Sequence, residues 1–226
     1  MEKTSSLKKL KTKYIFSIEG NISSGKTTII TILKKSSTQL NDFIFVEKPL
    51  KNWQNVAGEN LLDKKNKDIE RWGFSFESYV LITIINELIK VADSKEKIIF
   101  IERSILTDKS FFDAIAEKKL CTPMEEVMFR NIFYFFKDNA FPEIKGIIYL
   151  DTPPEECFSR IKERNREEEQ SISMDYLKKL ETKFKAVIKN AGVPILYLNG
   201  NYDLKKDVSS IEKKLKDFII KNINEK

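Results

Sequence analysis

Residues 20–28 read GNISSGKTT, with Gly20 and Gly25 separated by four residues and followed by Lys26 and Thr27. This is the full G-x-x-x-x-G-K-[ST] pattern, preceded by the apolar run YIFSIE (14–19) and followed by a helical pattern at 26–36, the context the motif requires. The chemistry is phosphate binding. The two glycines let the backbone wrap closely, so that amides from Gly20 through Asn21, Ser23 and Ser24, with the helix N-terminus at Thr28, can surround a β-phosphate. Lys26 is placed for the β and γ oxygens and the Thr27 hydroxyl for Mg²⁺. The spacing predicts a nucleoside triphosphate, ATP in the simplest case.

A second charged stretch, RIKERNREEEQ at 160–170, carries Arg160, Arg164 and Arg166. Arg160 and Arg164 lie one helical turn apart and share a face. In isolation such a segment is a solvated charged helix. Beside a phosphate loop it reads as a lid whose arginines neutralise the charge on a transferring phosphoryl group.

The elements that must hold these residues are legible in outline. Five apolar, β-branched or aromatic runs, at 14–19, 43–47, 98–102, 146–150 and 195–198, alternate with helical patterns at 26–36, 74–92, 105–118, 123–138, 155–165, 173–190 and 206–222. Continuous apolar strands alternating with helices predict an α/β fold, a five-stranded parallel sheet flanked by helices on both faces. Ligands of such sheets bind beyond the carboxyl ends of the strands, where Glu19, Glu47, Glu102 and Asp151 fall. A chain of 226 residues, 41% hydrophobic, suits one domain over 14–226, with the lysine-rich residues 1–13 as a flexible basic tail. No run approaches the roughly 20 apolar residues of a membrane span. Two cysteines, Cys121 and Cys157, and no histidine argue against a disulfide framework or a zinc site, so the expectation is a soluble cytoplasmic protein. The +6 net charge lacks the patterned arginine-aromatic surface of a nucleic-acid binder and fits small anionic ligands.

With IEGNISSGKTT, PLKNWQNVAG (49–58), ERWGFSFESYV (70–80), FIERSILTD (100–108), GIIYLDTPPEECFSRI (146–161) and the lid in sequence, the chain resembles the deoxyribonucleoside kinases, the group of deoxycytidine, deoxyguanosine and mitochondrial thymidine kinases. The likeness implies a P-loop kinase fold with an arginine-rich lid, a homodimer packing helices from the 74–92 and 123–138 regions, and transfer of the ATP γ-phosphate to a deoxynucleoside 5′-hydroxyl. Arg103 would hold the 5′-hydroxyl and the incoming phosphoryl group, Glu102 would lie near Mg²⁺, and Glu169 would accept from the sugar 3′-hydroxyl. Trp53, Phe76 and Phe112 would be the apolar walls around the base.

The pattern breaks in three places. The family has a glutamate directly before the proline as general base, where this chain has Lys48 before Pro49, so Glu47 is expected to substitute by a one-residue shift at the strand end. Asn66 stands where a tyrosine usually touches the 3′-hydroxyl. Glu77 replaces a glutamine that offers the base one donor and one acceptor; a carboxylate only accepts. With Asp108 as a second acceptor the edge of guanine or cytosine is favoured, unless Glu77 instead faces solvent or pairs with Arg71.

Overall fold

A computed structural model describes residues 6, 8–36, 43–201 and 207–224. Five strands, β1 (Tyr14–Gly20), β2 (Phe43–Val46), β3 (Ile98–Glu102), β4 (Glu143–Asp151) and β5 (Ile195–Asn199), form one sheet in the order β2-β3-β1-β4-β5. Every pairing is parallel. The central strand β1 follows the phosphate-loop requirement: its apolar residues are buried on both faces, so its carboxyl end opens on helix α1 (Lys26–Ser36).

Two apolar layers sandwich the sheet. On one side Ile15, Ile99 and Ile101 meet α4 (Ile69–Lys90), α5 (Ile105–Glu117) and α6 (Pro123–Asn139) through Val80, Ile84, Phe112, Phe129 and Phe133. On the other, Phe16, Ile18 and Phe100 meet Ile29 and Leu33 of α1 and Leu215 and Ile219 of α9 (Val208–Asn224). Helices α7 (Pro154–Arg164) and α8 (Met174–Lys189) close the β4 side through Cys157, Leu177 and Phe184.

The sequence reading misses two short helices, α2 (Leu50–Gln54) and α3 (Leu61–Lys67), and starts α4 five residues late. The signals were local rather than periodic. Asn60 accepts from the Asp63 amide at 2.9 Å to start α3, and Asp68 accepts from Arg71 at 3.1 Å to start α4. Strand β4 also begins at Glu143, where the charged Glu143 and Lys145 hide the extended conformation. Of the segment expected as a tail, 1–13, the described residues next to β1 pack against the body. Leu10 is fully buried, and the Lys13 ammonium reaches the carbonyls of Ser94 and Glu96 at 2.9 and 2.7 Å, so the lysines before β1 include an anchor. Residues 1–5 and 7 of that segment, and residue 206 of the last helix pattern, lie outside the described residues.

Candidate active site

At the carboxyl ends of β1, β2 and β3 lies a cavity of about 970 Å³. Its floor is the phosphate loop. Gly20 has φ +144°, and a Cβ there would come within 2.8 Å of the Leu150 carbonyl, which restricts the position to glycine. Lys26 is buried and donates to the Asn21 and Gly20 carbonyls at 2.6 and 3.3 Å. Burial, and then the neighbouring Arg103, push its pKa down to about 7. An ammonium held this way is stabilised by any anion placed in the loop.

Arg103 stands above the loop, immediately after β3. It has φ +65°, a conformation that costs a non-glycine residue about 1–3 kcal/mol and persists only when its surroundings enforce it. The enforcement is visible. The Arg103 amide donates to Ile18 at 3.1 Å, and the wholly buried Glu19 carboxylate accepts from the Ser104 amide at 2.7 Å and the Thr107 hydroxyl at 2.6 Å. Glu19, a strand-ending carboxylate in the sequence, is thus the brace at the N-terminus of α5. The guanidinium is packed against the rings of Phe111 and Phe184 at 5.1 and 4.9 Å, and one terminal nitrogen, NH1, is buried without a hydrogen-bond partner. A buried donor left unpaired in this way has capacity for a further partner, and Arg103 lines the cavity. Glu102, half-buried, lines the cavity beside it.

The lid arginines reach the same cavity from α7 and the turn after it. Arg160 donates to the Gly200 carbonyl at 2.9 Å and approaches the Ser24 carbonyl at 3.5 Å. Arg164 holds Glu169 through two nitrogens at 2.6 and 3.1 Å, and Arg166 lies 3.8 Å from the same carboxylate. Glu169 is therefore engaged by the lid it was expected to sit beside. Asn66, at the position of the absent tyrosine, donates to the Glu168 carbonyl at 2.5 Å, and Gln54 donates to the Glu168 carboxylate at 2.9 Å. The two newly seen helices thereby fasten the far end of the lid.

Opposite the loop the cavity becomes a recess walled by Trp53 and Phe76, edge to face at 5.7 Å and 77°. Phe112, expected as a third wall, does not line it: the ring is fully buried and stacks on Phe129 at 3.8 Å, while its neighbour Phe111 faces the cavity. Glu77 and Asp108 are both buried in the recess. Glu77 does not meet Arg71, which lies over Trp72; its carboxylate is 3.7 Å from the Lys65 ammonium. Burial, reinforced by Asp108 and opposed by Lys65 and Lys48, raises the Glu77 pKa to about 7.

The strand end leaves Glu47 at the rim of the cavity. Its side chain is 58% exposed and paired with Lys34 of α1 at the cavity rim, and the register shift that would turn it inward is not seen. Lys48, just past the end of β2, is half-buried, lines the cavity and donates to Asp108 at 3.0 Å.

These parts carry a recognisable assignment. The deoxynucleoside kinase family model matches residues 16–224. The chain belongs to the deoxynucleoside kinase family. As a kinase of this family it is an ATP-dependent phosphotransferase acting on deoxynucleosides. It is 32% identical to bovine (Bos taurus) deoxycytidine kinase over 236 residues, which cover 90% of each chain. A probable deoxycytidine kinase of fowlpox virus (strain NVSL) is 34% identical over 219 residues, 93% of this chain and 90% of the relative. Human (Homo sapiens) mitochondrial thymidine kinase 2 is 27% identical over 206 residues, 88% of this chain and 76% of the relative.

For this deoxynucleoside kinase, sequence reasoning overlooked Lys65, Phe111, Tyr176, Gln54 and Glu168 as cavity residues or their fasteners. Lys65 was hidden in KKNK, where it is buried, Lys64 is half-buried over Trp72 and Lys67 is exposed. The i, i+4 spacing of Leu61 and Lys65 was the available signal, because a lysine on the apolar face of a helix must have a partner.

Proposed function

We propose that the enzyme transfers the γ-phosphate of ATP to the 5′-hydroxyl of a deoxyribonucleoside in nucleotide salvage, with deoxycytidine or deoxyguanosine favoured. The supporting observation is the continuity of one cavity from Lys26 and Thr27, past Arg103, to the recess of Trp53, Phe76, Glu77 and Asp108. A triphosphate on the loop and a nucleoside in the recess would bring donor and acceptor together at Arg103, and such positioning supplies most of phosphoryl-transfer catalysis. Lys26, Arg103, Arg164 and Arg166 stabilise the moving charge, and Arg160 steadies the loop.

Among the described residues no three His, Cys, Asp or Glu side chains gather as a metal site. That donor set still fits Mg²⁺, which is held largely by phosphate oxygens and water and needs few protein ligands. Thr27 and Glu102 would hold it, and when bound it neutralises charge on the β and γ oxygens. Glu47 is the proposed proton acceptor, released from Lys34 when substrate enters, and Glu169 the acceptor for the 3′-hydroxyl, released from Arg164 as that arginine turns to phosphate. The bovine and fowlpox relatives are named for deoxycytidine, and two buried acceptors in the recess agree with an amino-bearing base. Free thiols at Cys121 and Cys157 suit a reducing, cytoplasmic setting. Exposed apolar side chains on α6 support a homodimer.

ADP release measured with each deoxynucleoside in turn tests the reading. Release that depends on deoxycytidine or deoxyguanosine is the expected result, and thymidine as best acceptor would overturn the base assignment. Lys48 and Asn66 favour one rival, a nucleotide- or nucleoside-binding protein of kinase ancestry with weakened catalysis; ligand binding without ADP release would select it.

A further inference from the structure

Lys65 has no part in the roles assigned above, yet its placement is costly. It is 7% exposed on α3 and lies over the Phe76 ring at 5.5 Å. An ammonium is hidden this way only when partners compensate its lost hydration. Its partner is Glu77, but at 3.7 Å the two are an ion pair without a direct hydrogen bond, so each keeps capacity for a third group. Across the recess the Oδ1 oxygen of Asp108 is taken by Lys48, while Oδ2 is buried and has no hydrogen-bond partner. The recess therefore holds, between aromatic walls, two carboxylates and two ammonium groups, of which Lys48 is bonded to Asp108 and Lys65 stands beside Glu77 without a direct hydrogen bond to it.

We propose that Lys65 is a base-reading residue: its ammonium donates to the ring nitrogen or carbonyl of the nucleobase while Glu77 and Asp108 accept the two adjacent N–H groups. This inference rests on the kinase reading and narrows it. The Lys65–Glu77 pair does the work of one amide, offering a donor and an acceptor side by side, so the bare N3 of cytosine meets a donor instead of a carboxylate alone. The donor-acceptor-acceptor set matches cytosine through N3 and its amino group, and guanine through O6, N1–H and N2–H₂. Adenine fits through N1 and its amino group. Thymine presents acceptors on both sides of its single N–H, so one carbonyl would face a carboxylate, and the site rejects it.

The test pairs a protein change with a substrate change. Unmodified enzyme is compared on deoxycytidine and 3-deazadeoxycytidine, which lacks the N3 acceptor, and then the Lys65→Met variant is given both. Loss of a buried hydrogen bond to a charged donor predicts that the analogue, or the variant, lowers kcat/KM about 10- to 100-fold, and that the analogue carries no additional penalty in the variant. In a Lys65→Met/Glu77→Gln double variant, whose neutral amide again supplies donor and acceptor, deoxycytidine use should recover over the single variant and the penalty for the 3-deaza analogue should return; recovery without that penalty would mean only that an unpaired buried carboxylate had been relieved. Equal use of the two nucleosides by unmodified enzyme overturns the proposal whether or not the variants fold, as does a persistent analogue penalty in Lys65→Met. Should turnover be absent, the same comparisons made by equilibrium binding, followed through Trp53 fluorescence, decide the role of Lys65 separately from the kinase reading.

Discussion

Two residues define what single side chains contribute. Lys26 is buried with its pKa lowered to about 7, while in the unfolded chain it stays near 10.5. Between those values the unfolded state binds the extra proton, so its contribution makes stability rise with pH across roughly pH 7 to 10. Lys26→Met should flatten that rise in thermal melts of nucleotide-free protein and, by removing a charge stabiliser, reduce turnover by about 10²–10³. An unchanged pH slope would mean the ammonium is better solvated than its burial implies. Glu47 is the opposite case, exposed and tied to Lys34. If it accepts the 5′-hydroxyl proton, Glu47→Gln should cost about 10²–10⁴ in kcat with little change in nucleoside affinity; near-normal kcat would leave Lys48 and its Asp108 contact as the feature to explain. At this scale spacing alone exposed the phosphate loop, while Arg103, Trp53 and Phe76 entered through the resemblance to the kinase family and all line the cavity. It could not separate Phe112 from Phe111, because adjacent helical side chains of one type differ only in direction.

Among the elements, the lid shows how short helices decide function. Arg160 and Arg164 were legible from one-turn spacing, and Arg166 from the same charged stretch, but their fastening depends on α2 and α3, which lack apolar periodicity and were missed. Gln54 and Asn66 from those helices both hold Glu168. A neutral hydrogen bond of this kind contributes about 1 kcal/mol, enough to shift a closing equilibrium several-fold. Asn66→Ala is therefore expected to speed amide hydrogen exchange across 165–172 and raise the ATP KM a few-fold, with melting temperature changed little. Unaltered exchange would show that the lid is held from α7 alone. Glu19 is the matching brace for α5, and its role was not readable, since pairing with Ser104 and Thr107 depends on β1 and β3 being neighbours.

For the whole molecule, the alternation of strands and helices foretold a parallel sheet covered on both faces, whereas the order β2-β3-β1-β4-β5 came only with the coordinates. The surface adds a further constraint. Helix α6 buries Phe129 and Phe133 inward but leaves Met124, Val127, Met128, Tyr134 and Phe135 exposed, at the i, i+3, i+4 spacing of one face. Ile82 of the adjoining α4 is also exposed. A stripe of this kind is the mark of an association face, and a two-fold axis through it would bring the same residues of two copies together. In the proposed homodimer any charge introduced there would enter the interface twice. Val127→Glu with Phe135→Glu should thus raise the dimer dissociation constant at least 100-fold, about 2.7 kcal/mol, while leaving the fold intact because both side chains already meet solvent in the monomer. Sedimentation equilibrium gives the answer: wild-type protein running at twice 26.4 kDa and the variant at 26.4 kDa is the expected pair of results, and a wild-type chain that is monomeric at micromolar concentration refutes the dimer.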